Sequence, residues 1–353
     1  MVISAAEVWT ENLPLKRPYR IAFKRVDAVA LHFVRLESST RVEGLGCAAP
    51  TDVTRETPAD CRAALEHGAL DVVKGRDPRC LRAVVRRIRQ EMPGHPAARA
   101  ALDMALYDLV ARSADVPVVE YLGSYHDELP TSITIGILPL EDTLREAREY
   151  VERGFVHLKV KLGLDVEEDL ARLRALRRQF GSAVHIRVDA NQGYTAEETM
   201  ALADAAEGLG LAFIEQPMSA EAVDSMRRLP PQCRPLMAAD ESLHSPQDAW
   251  ALTHHPPFGI FNIKLVKCGG ITPALEIADL AYRADLDLMW GCMDESVISI
   301  AAALHAAFAS RATRYLDLDG SLDLSRDVAG GGFEIDRGVM RLTGGPGLGV
   351  HLL

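Results

Sequence analysis

No run of residues in the chain approaches the apolar length needed to cross a bilayer, and residues 1–22 have acidic residues early and no apolar core of signal-peptide size. Export and membrane insertion are therefore not expected. Cysteine is sparse: Cys47, Cys61, Cys80, Cys233, Cys268 and Cys292 are scattered, with no CxxC pair and no compact framework. They read as reduced thiols of a cytoplasmic protein. Positive charge is in deficit, with 39 Lys and Arg against 50 Asp and Glu and a formal charge of -11. That balance argues against a general nucleic-acid surface and against binding to anionic membranes, and suits a small, cationic partner. No Gly-rich phosphate loop follows any candidate strand, which weighs against an open, doubly wound nucleotide-binding sheet.

What the chain does have is enough apolar sequence for a large core: 353 residues, 48% hydrophobic and 25% charged. Residues from about 2 to 50 read as strands, with Val29 to Leu36 β-rich and Gly44 and Gly46 as punctuation, and Arg20 to Asp27 reads as a polar loop. From Pro58 to Asp115 the pattern turns helical. Ala98, Ala101, Leu102, Ala105, Leu106 and Leu109 form an apolar stripe rich in small residues. Strands followed by helices predict an α+β unit over residues 1–125, completed by the loop-rich tail from about 321 to 353. Between them, over 126–320, short apolar strands beginning near Thr131, Phe155, Val184, Ala212, Pro235, Gly259, Asp287 and Arg314 alternate with amphipathic helices. Eight strands and seven intervening helices predict an α/β architecture, a parallel barrel.

The side chains at the C-terminal ends of such strands share one mouth, where barrel catalysis takes place. The second strand carries Lys159 and Lys161 on one face, with Val160 turned the other way. A solvated edge strand would also carry lysines, but crowded ammonium groups lower one another's pKa towards the range of a base. The third strand ends in Asp189, the fourth in Glu215, the fifth in Asp240 and the sixth in Lys264, with Glu241 and Lys267 as competing neighbours. Three carboxylates on consecutive strands make an all-oxygen set suited to Mg²⁺. Each alone reads as a turn or a helix cap; three at equivalent positions, flanked by lysines, do not.

The Lys-x-Lys at 159 and 161, followed by Asp189, Glu215, Asp240 and Lys264, resembles the enolase superfamily, and within it the muconate-lactonizing subgroup. Essentially the whole chain is covered. The resemblance implies a (β/α)7β modified TIM barrel with an N-terminal α+β capping domain, one Mg²⁺ per subunit on the three carboxylates, and association into a homo-oligomer. The mandelate-racemase-like subgroup uses a His-Asp pair on the sixth and seventh strands and is disfavoured by Lys264. The implied chemistry is proton transfer at the carbon next to a carboxylate, with Mg²⁺ spreading the charge of the enediolate. Lys161 and Lys264 would face that carbon from opposite sides and invert it, with Lys159 as an electrostatic partner that lowers the pKa of Lys161 and stabilises the enediolate.

The same set serves cycloisomerases, o-succinylbenzoate synthases, N-acylamino acid racemases and dipeptide epimerases. Asp317 and Asp319 on the eighth strand resemble the dipeptide epimerase pattern, in which paired carboxylates hold a free α-ammonium. A dipeptide is therefore the expected substrate. For its side chain, Asp294 and Glu295 at the seventh strand's end and Asp52 in a cap loop favour Lys or Arg. Lys24 or Arg25, in the loop expected to cover the site, would instead pair with an anionic side chain, as in Ala-Glu epimerases. A cap for the helix near Ser296 is the structural alternative for Asp294.

Overall fold

The computed structural model describes residues 1–21 and 24–353, and their side chains apart from those of 18–25 and 68–70. Strands β1 (Ile3–Ile21) and β2 (Lys24–Ser38) form a long antiparallel hairpin, and β3 (Glu43–Ala48) pairs on the other side of β2. The register runs on from Tyr19↔Val26 to Ile21↔Lys24, so the loop expected over Arg20 to Asp27 is strand almost to its tip. Tyr19, Ile21 and Val26 supply the β-forming residues that the polar count concealed.

The small-residue stripe lies in the helix Pro96–Ser113, which packs on this sheet. Gly44 and Gly46 are the reason it can come so close. A Cβ on Gly46 would lie 1.9 Å from the Ala101 carbonyl oxygen, and one on Gly44 would lie 2.2 Å from that of Ala105. The helix is buried on nearly every side from Ala97 to Ala111, because the barrel covers the face that the sheet leaves. Asp108 fastens three segments at once: it accepts from the backbone of Leu45 at 2.8 Å and of Leu348 at 2.7 Å, and from the Arg112 guanidinium at 2.8 Å.

After β4 (Glu128–Pro130) come the parallel strands β5 (Ile133–Ile135), β6 (His157–Lys161), β7 (His185–Asp189), β8 (Leu211–Glu215), β9 (Met237–Ala239), β10 (Ile260–Ile263), β11 (Asp287–Gly291) and β12 (Thr313–Asp317). They hydrogen-bond in sequence order from β5 to β12. A bridge from Thr131 to Leu316, with Ser132 N donating to the Leu316 carbonyl at 3.0 Å, brings the first and last strands together. The result is the (β/α)7β barrel, and strands four places apart stand on opposite walls. Within it, Arg187 is buried against the edge-to-face pair of Phe213 and Tyr315, at 5.4 and 5.3 Å from their ring centres, and donates to the Leu316 carbonyl.

The tail touches both parts. Strands β13 (Ala329–Gly331) and β16 (Val350–Leu352) pair with each other, and β14 (Phe333–Asp336) and β15 (Val339–Leu342) form a sheet with β4. Before them, the Asp323 carbonyl accepts from Lys16 N and Ser325 N donates to Pro14, against β1.

Across the contact between the Pro96–Ser113 helix and the barrel, Asp103 caps the helix Ile271–Arg283, accepting from Ile271 N at 2.5 Å and Thr272 N at 3.2 Å. Its other oxygen is buried without a partner, and burial pushes its carboxyl up to about 7 despite those bonds. A carboxyl raised in the folded state contributes stability that is complete below its unfolded pKa and is lost as pH rises through the folded value. Asp103→Asn cannot ionise, so its stability should gain on wild type as pH rises from about 4 to about 7. Urea unfolding of both proteins at pH 5 and pH 8 checks this; an unchanged gap would exclude titration at Asp103.

Candidate active site

Strand β6 delivers Lys159 and Lys161 to the mouth on one face, but to different surroundings. The Lys159 side chain is 3% exposed, and its Nζ lies 2.8 Å from Glu215, 2.9 Å from Asp317 and 3.1 Å from Asp189. Burial alone would lower its pKa, yet the charges of Asp317, Glu215 and Asp189 outweigh that and raise it well above the usual lysine value. At Lys159 the three carboxylates decide the direction of the shift. Lys161, 27% exposed, donates to Asp189 at 2.7 Å and to Asn191 at 3.0 Å.

On the opposite wall, Lys264 follows directly after β10 and donates to Asp240 at 2.9 Å. Burial works against its charge, but Asp240 prevails and raises its pKa. Lys267 was the rejected competitor. It is also fully buried on Asp240, bonding both a carboxylate oxygen and, at 2.5 Å, the backbone carbonyl. Lys264 is the N-cap of the single turn Leu265–Cys268 and Lys267 lies three residues on, within it, so both reach the same carboxylate. Gly291 on β11 leaves the room they need: a Cβ there would lie 2.6 Å from Asn262 Oδ1 and 3.1 Å from Lys264 Cε.

Asp189, Glu215 and Asp240 stand at the ends of β7, β8 and β9. Burial raises all three. The ammonium groups of Lys161 and Lys159 nonetheless hold Asp189 down at about 2, and Lys264 and Lys267 hold Asp240 well below the carboxylate range. Glu215 goes the other way, to about 7, pushed by burial and by the charge of Asp189. One of its oxygens accepts from Asn262 at 2.7 Å, while the other makes no well-directed hydrogen bond although Lys159 is near. Among the described residues, no three His, Cys, Asp or Glu side chains already converge as a metal cage, since each of these carboxylates is drawn to a lysine. The donor set still fits a hard divalent cation: three adjacent carboxylates, one of them held short of full ionisation by its neighbours.

Asp317 and Asp319 are both buried. Asp317 accepts from Ser132 at 2.5 Å as well as from Lys159, whose charge keeps its carboxyl low against the effect of burial. Asp319 accepts from Thr134 N at 2.7 Å and rises to about 6 through burial and the charge of Asp317. Asp294 is half-buried within electrostatic reach of Glu295 and Asp323. It does not cap the following helix: Ser296 does, at the start of Val297–Phe308. Glu295 is buried, accepts from Met293 N at 2.8 Å, and is raised by burial to about 7. Asp52 is exposed in a turn closed by Arg55 N, with no bond to this cluster. The side chains of Lys24 and Arg25 lie outside the described residues.

Three participants escaped the sequence reading. Gln216 crosses between strand ends, its Oε1 accepting from Asp240 N and Ser242 N at 3.0 and 3.1 Å. Asn191 bonds Lys161 and, through Nδ2, Glu241 at 3.2 Å. Arg187 places a cation inside the barrel that acts electrostatically on Asp317 and Glu215. Gln216 and Asn191 stand one and two residues past the assigned carboxylates Glu215 and Asp189, and that adjacency was their one visible signal.

Barrel, cap and strand-end residues define a class, and the comparisons agree with it. Residues 3–123 match the model for the mandelate racemase / muconate lactonizing enzyme N-terminal domain, and residues 142–353 match that for the enolase C-terminal domain-like family. The chain belongs to the enolase superfamily, in its mandelate racemase / muconate lactonizing enzyme family. It is 52% identical over 352 residues to an L-Lys-D/L-Arg epimerase of Desulforapulum autotrophicum, and 53% identical to one of Methylococcus capsulatus, with 99% of each chain covered. A crystal structure of the dipeptide epimerase from Methylococcus capsulatus, complexed with Mg and the dipeptide L-Arg-D-Lys, superposes with a TM-score of 0.96 at 52% identity, covering 99% of both chains.

Lys159→Met would leave Asp189, Glu215 and Asp317 facing one another without the cation between them. Removing one partner of a buried ion pair costs about 3–5 kcal/mol. A loss of that order in urea unfolding is expected; stability within experimental error of wild type would mean that the carboxylates do not depend on Lys159.

Proposed function

We propose that the protein is a Mg²⁺-dependent dipeptide epimerase, an isomerase that inverts the α-carbon of the C-terminal residue in dipeptides carrying Lys or Arg side chains. The observation that carries the reading is the placing of two lysines around a carboxylate trio. Lys161 is on β6 and Lys264 follows β10, four places apart in a ring of eight, so they approach a central carbon from opposite sides. The acidic mouth and the two Lys/Arg epimerases of about half-identical sequence support the cationic substrate.

Asp189, Glu215 and Asp240 would hold Mg²⁺, which when bound supplies positive charge to the substrate carboxylate as the α-proton becomes acidic. The residues do the rest. One lysine, neutral, takes the proton from its face of the carbon; the other, charged, gives a proton to the opposite face. One C–H bond breaks and one forms, so no oxidant or further reactant is needed. Lys264, whose ammonium is stabilised by Asp240, is suited to arrive charged. Lys159 stays charged throughout and offsets the negative charge that develops. Asp317 and Asp319 would receive the substrate's α-ammonium, and Asp294 the cationic side chain, with Glu295 behind it. Asp52 and Lys24 are the outer candidates for side-chain contact, Lys24 for an anionic one.

Incubation with Mg²⁺ and a library of L,L-dipeptides in D₂O tests the reading by mass. Deuterium should enter the C-terminal α-carbon of Xaa-Lys and Xaa-Arg, and Asp294→Asn should slow these at least tenfold while sparing neutral dipeptides. Labelling confined to Xaa-Glu would move the specificity to the Lys24 side. Labelling of N-acylamino acids and of no dipeptide would overturn the reading.

A further inference from the structure

We propose that Asn191, held by Glu241, is a positioning residue that aims the Lys161 amine at its substrate; this rests on the reading of Lys161 and Lys264 as the two proton-transferring groups. Beyond its carbon, a lysine nitrogen has three tetrahedral positions: two N–H bonds and a lone pair when neutral, three N–H bonds when charged. At Lys161, two of them point at Asp189 Oδ2 and Asn191 Oδ1, at 2.7 and 3.0 Å. The third, which carries the lone pair or the transferable proton, is thereby directed away from both. Asp189 does not fix this alone, because the same oxygen lies 3.1 Å from Lys159.

An asparagine amide is two-sided, and turned over it would present its NH₂ to the lysine. Glu241 prevents that by accepting from Nδ2 at 3.2 Å, while the second Glu241 oxygen is buried with no partner. The backbone is held as firmly. Asn191 and Gln192 have φ of 42° and 70°, in the left-handed region, which persists only where the surroundings over-determine it. Asn191 N donates to Asp189 Oδ1 at 2.9 Å and Gln192 N to the Gln216 carbonyl at 2.7 Å. Gly193 packs so tightly on the loop after β6 that a Cβ would lie 2.1 Å from the Gly163 carbonyl. The loop carrying Asn191 and the strand carrying Lys161 thus hold one relative position. Lys264, bonded to Asp240 on the far wall, makes no hydrogen bond to Asn191. The effect should therefore be confined to one face of the carbon.

The test follows α-proton loss into D₂O separately from the L,L and L,D forms of an Arg-Lys dipeptide, on the Mg²⁺-loaded enzyme. Lys161→Ala and Lys264→Ala serve as controls. A one-ångström error in a catalytic group costs up to about 100-fold. Asn191→Ala should slow loss from the epimer that Lys161→Ala silences by about ten- to a hundredfold, with loss from the other epimer within about twofold of wild type. Glu241→Leu should act on the same epimer, and Glu241→Gln, which keeps an acceptor oxygen, should restore most of it. Equal slowing from both epimers, or from neither, overturns the positioning role. Should the two lysine variants fail to silence opposite epimers, the two-lysine reading falls and takes this proposal with it; one-sided lysine variants beside an even-handed Asn191→Ala remove the positioning role alone.

Discussion

The barrel mouth depends on the mutual neutralisation of buried lysines and buried carboxylates. Neither set could be held there by itself: an isolated buried ion is costly, and removing one partner strands the other. Lys159 sits among Glu215, Asp317 and Asp189, and Lys264 and Lys267 share Asp240. The charges that chemistry at an α-carbon requires are therefore the ones that make the site tolerable to the fold. Glu215, raised to about 7 and with one oxygen poorly bonded, is where that neutralisation is least complete, and it is the middle member of the trio suited to a divalent cation.

Around that centre the scaffold removes freedom. Gly44 and Gly46 bring a helix into backbone contact with the first sheet, Asp103 and Asp108 tie that helix to the barrel and to the tail, and Gly291 clears the path of Lys264. Each acts by position more than by energy. A methyl group on any of these glycines would move an element that the mouth relies on.

The barrel was legible because short apolar segments recur eight times with helices between them, and strand parity then brings charged residues to one end. The lysines and carboxylates could be named for the same reason, since each stands within two residues of a strand end. Partnerships across strands could not be read. That Lys267 is buried on Asp240 depends on the turn 265–268, and the bonds of Asn191 depend on a left-handed backbone that no residue pattern announces. The rise in the pKa of Lys159 could not be read either, because sequence shows its neighbouring lysine and hides the carboxylates that fold against it. Over residues 19–21 and 24–26, polar residues concealed strand pairing that only the facing residues reveal. Ser296, two positions from Asp294, takes the cap that the aspartate could have filled.

Lys161 and Lys264 differ in their contact with water: one side chain is 27% exposed, the other 6%. In the proton transfers proposed above, hydrogen on the open Lys161 amine would be traded with bulk water faster than hydrogen on the shielded Lys264 amine. In the proposed two-lysine exchange an inverted product takes its hydrogen from the opposite amine, so hydrogen from water would reach one face of the carbon, through Lys161, sooner than the other, through Lys264.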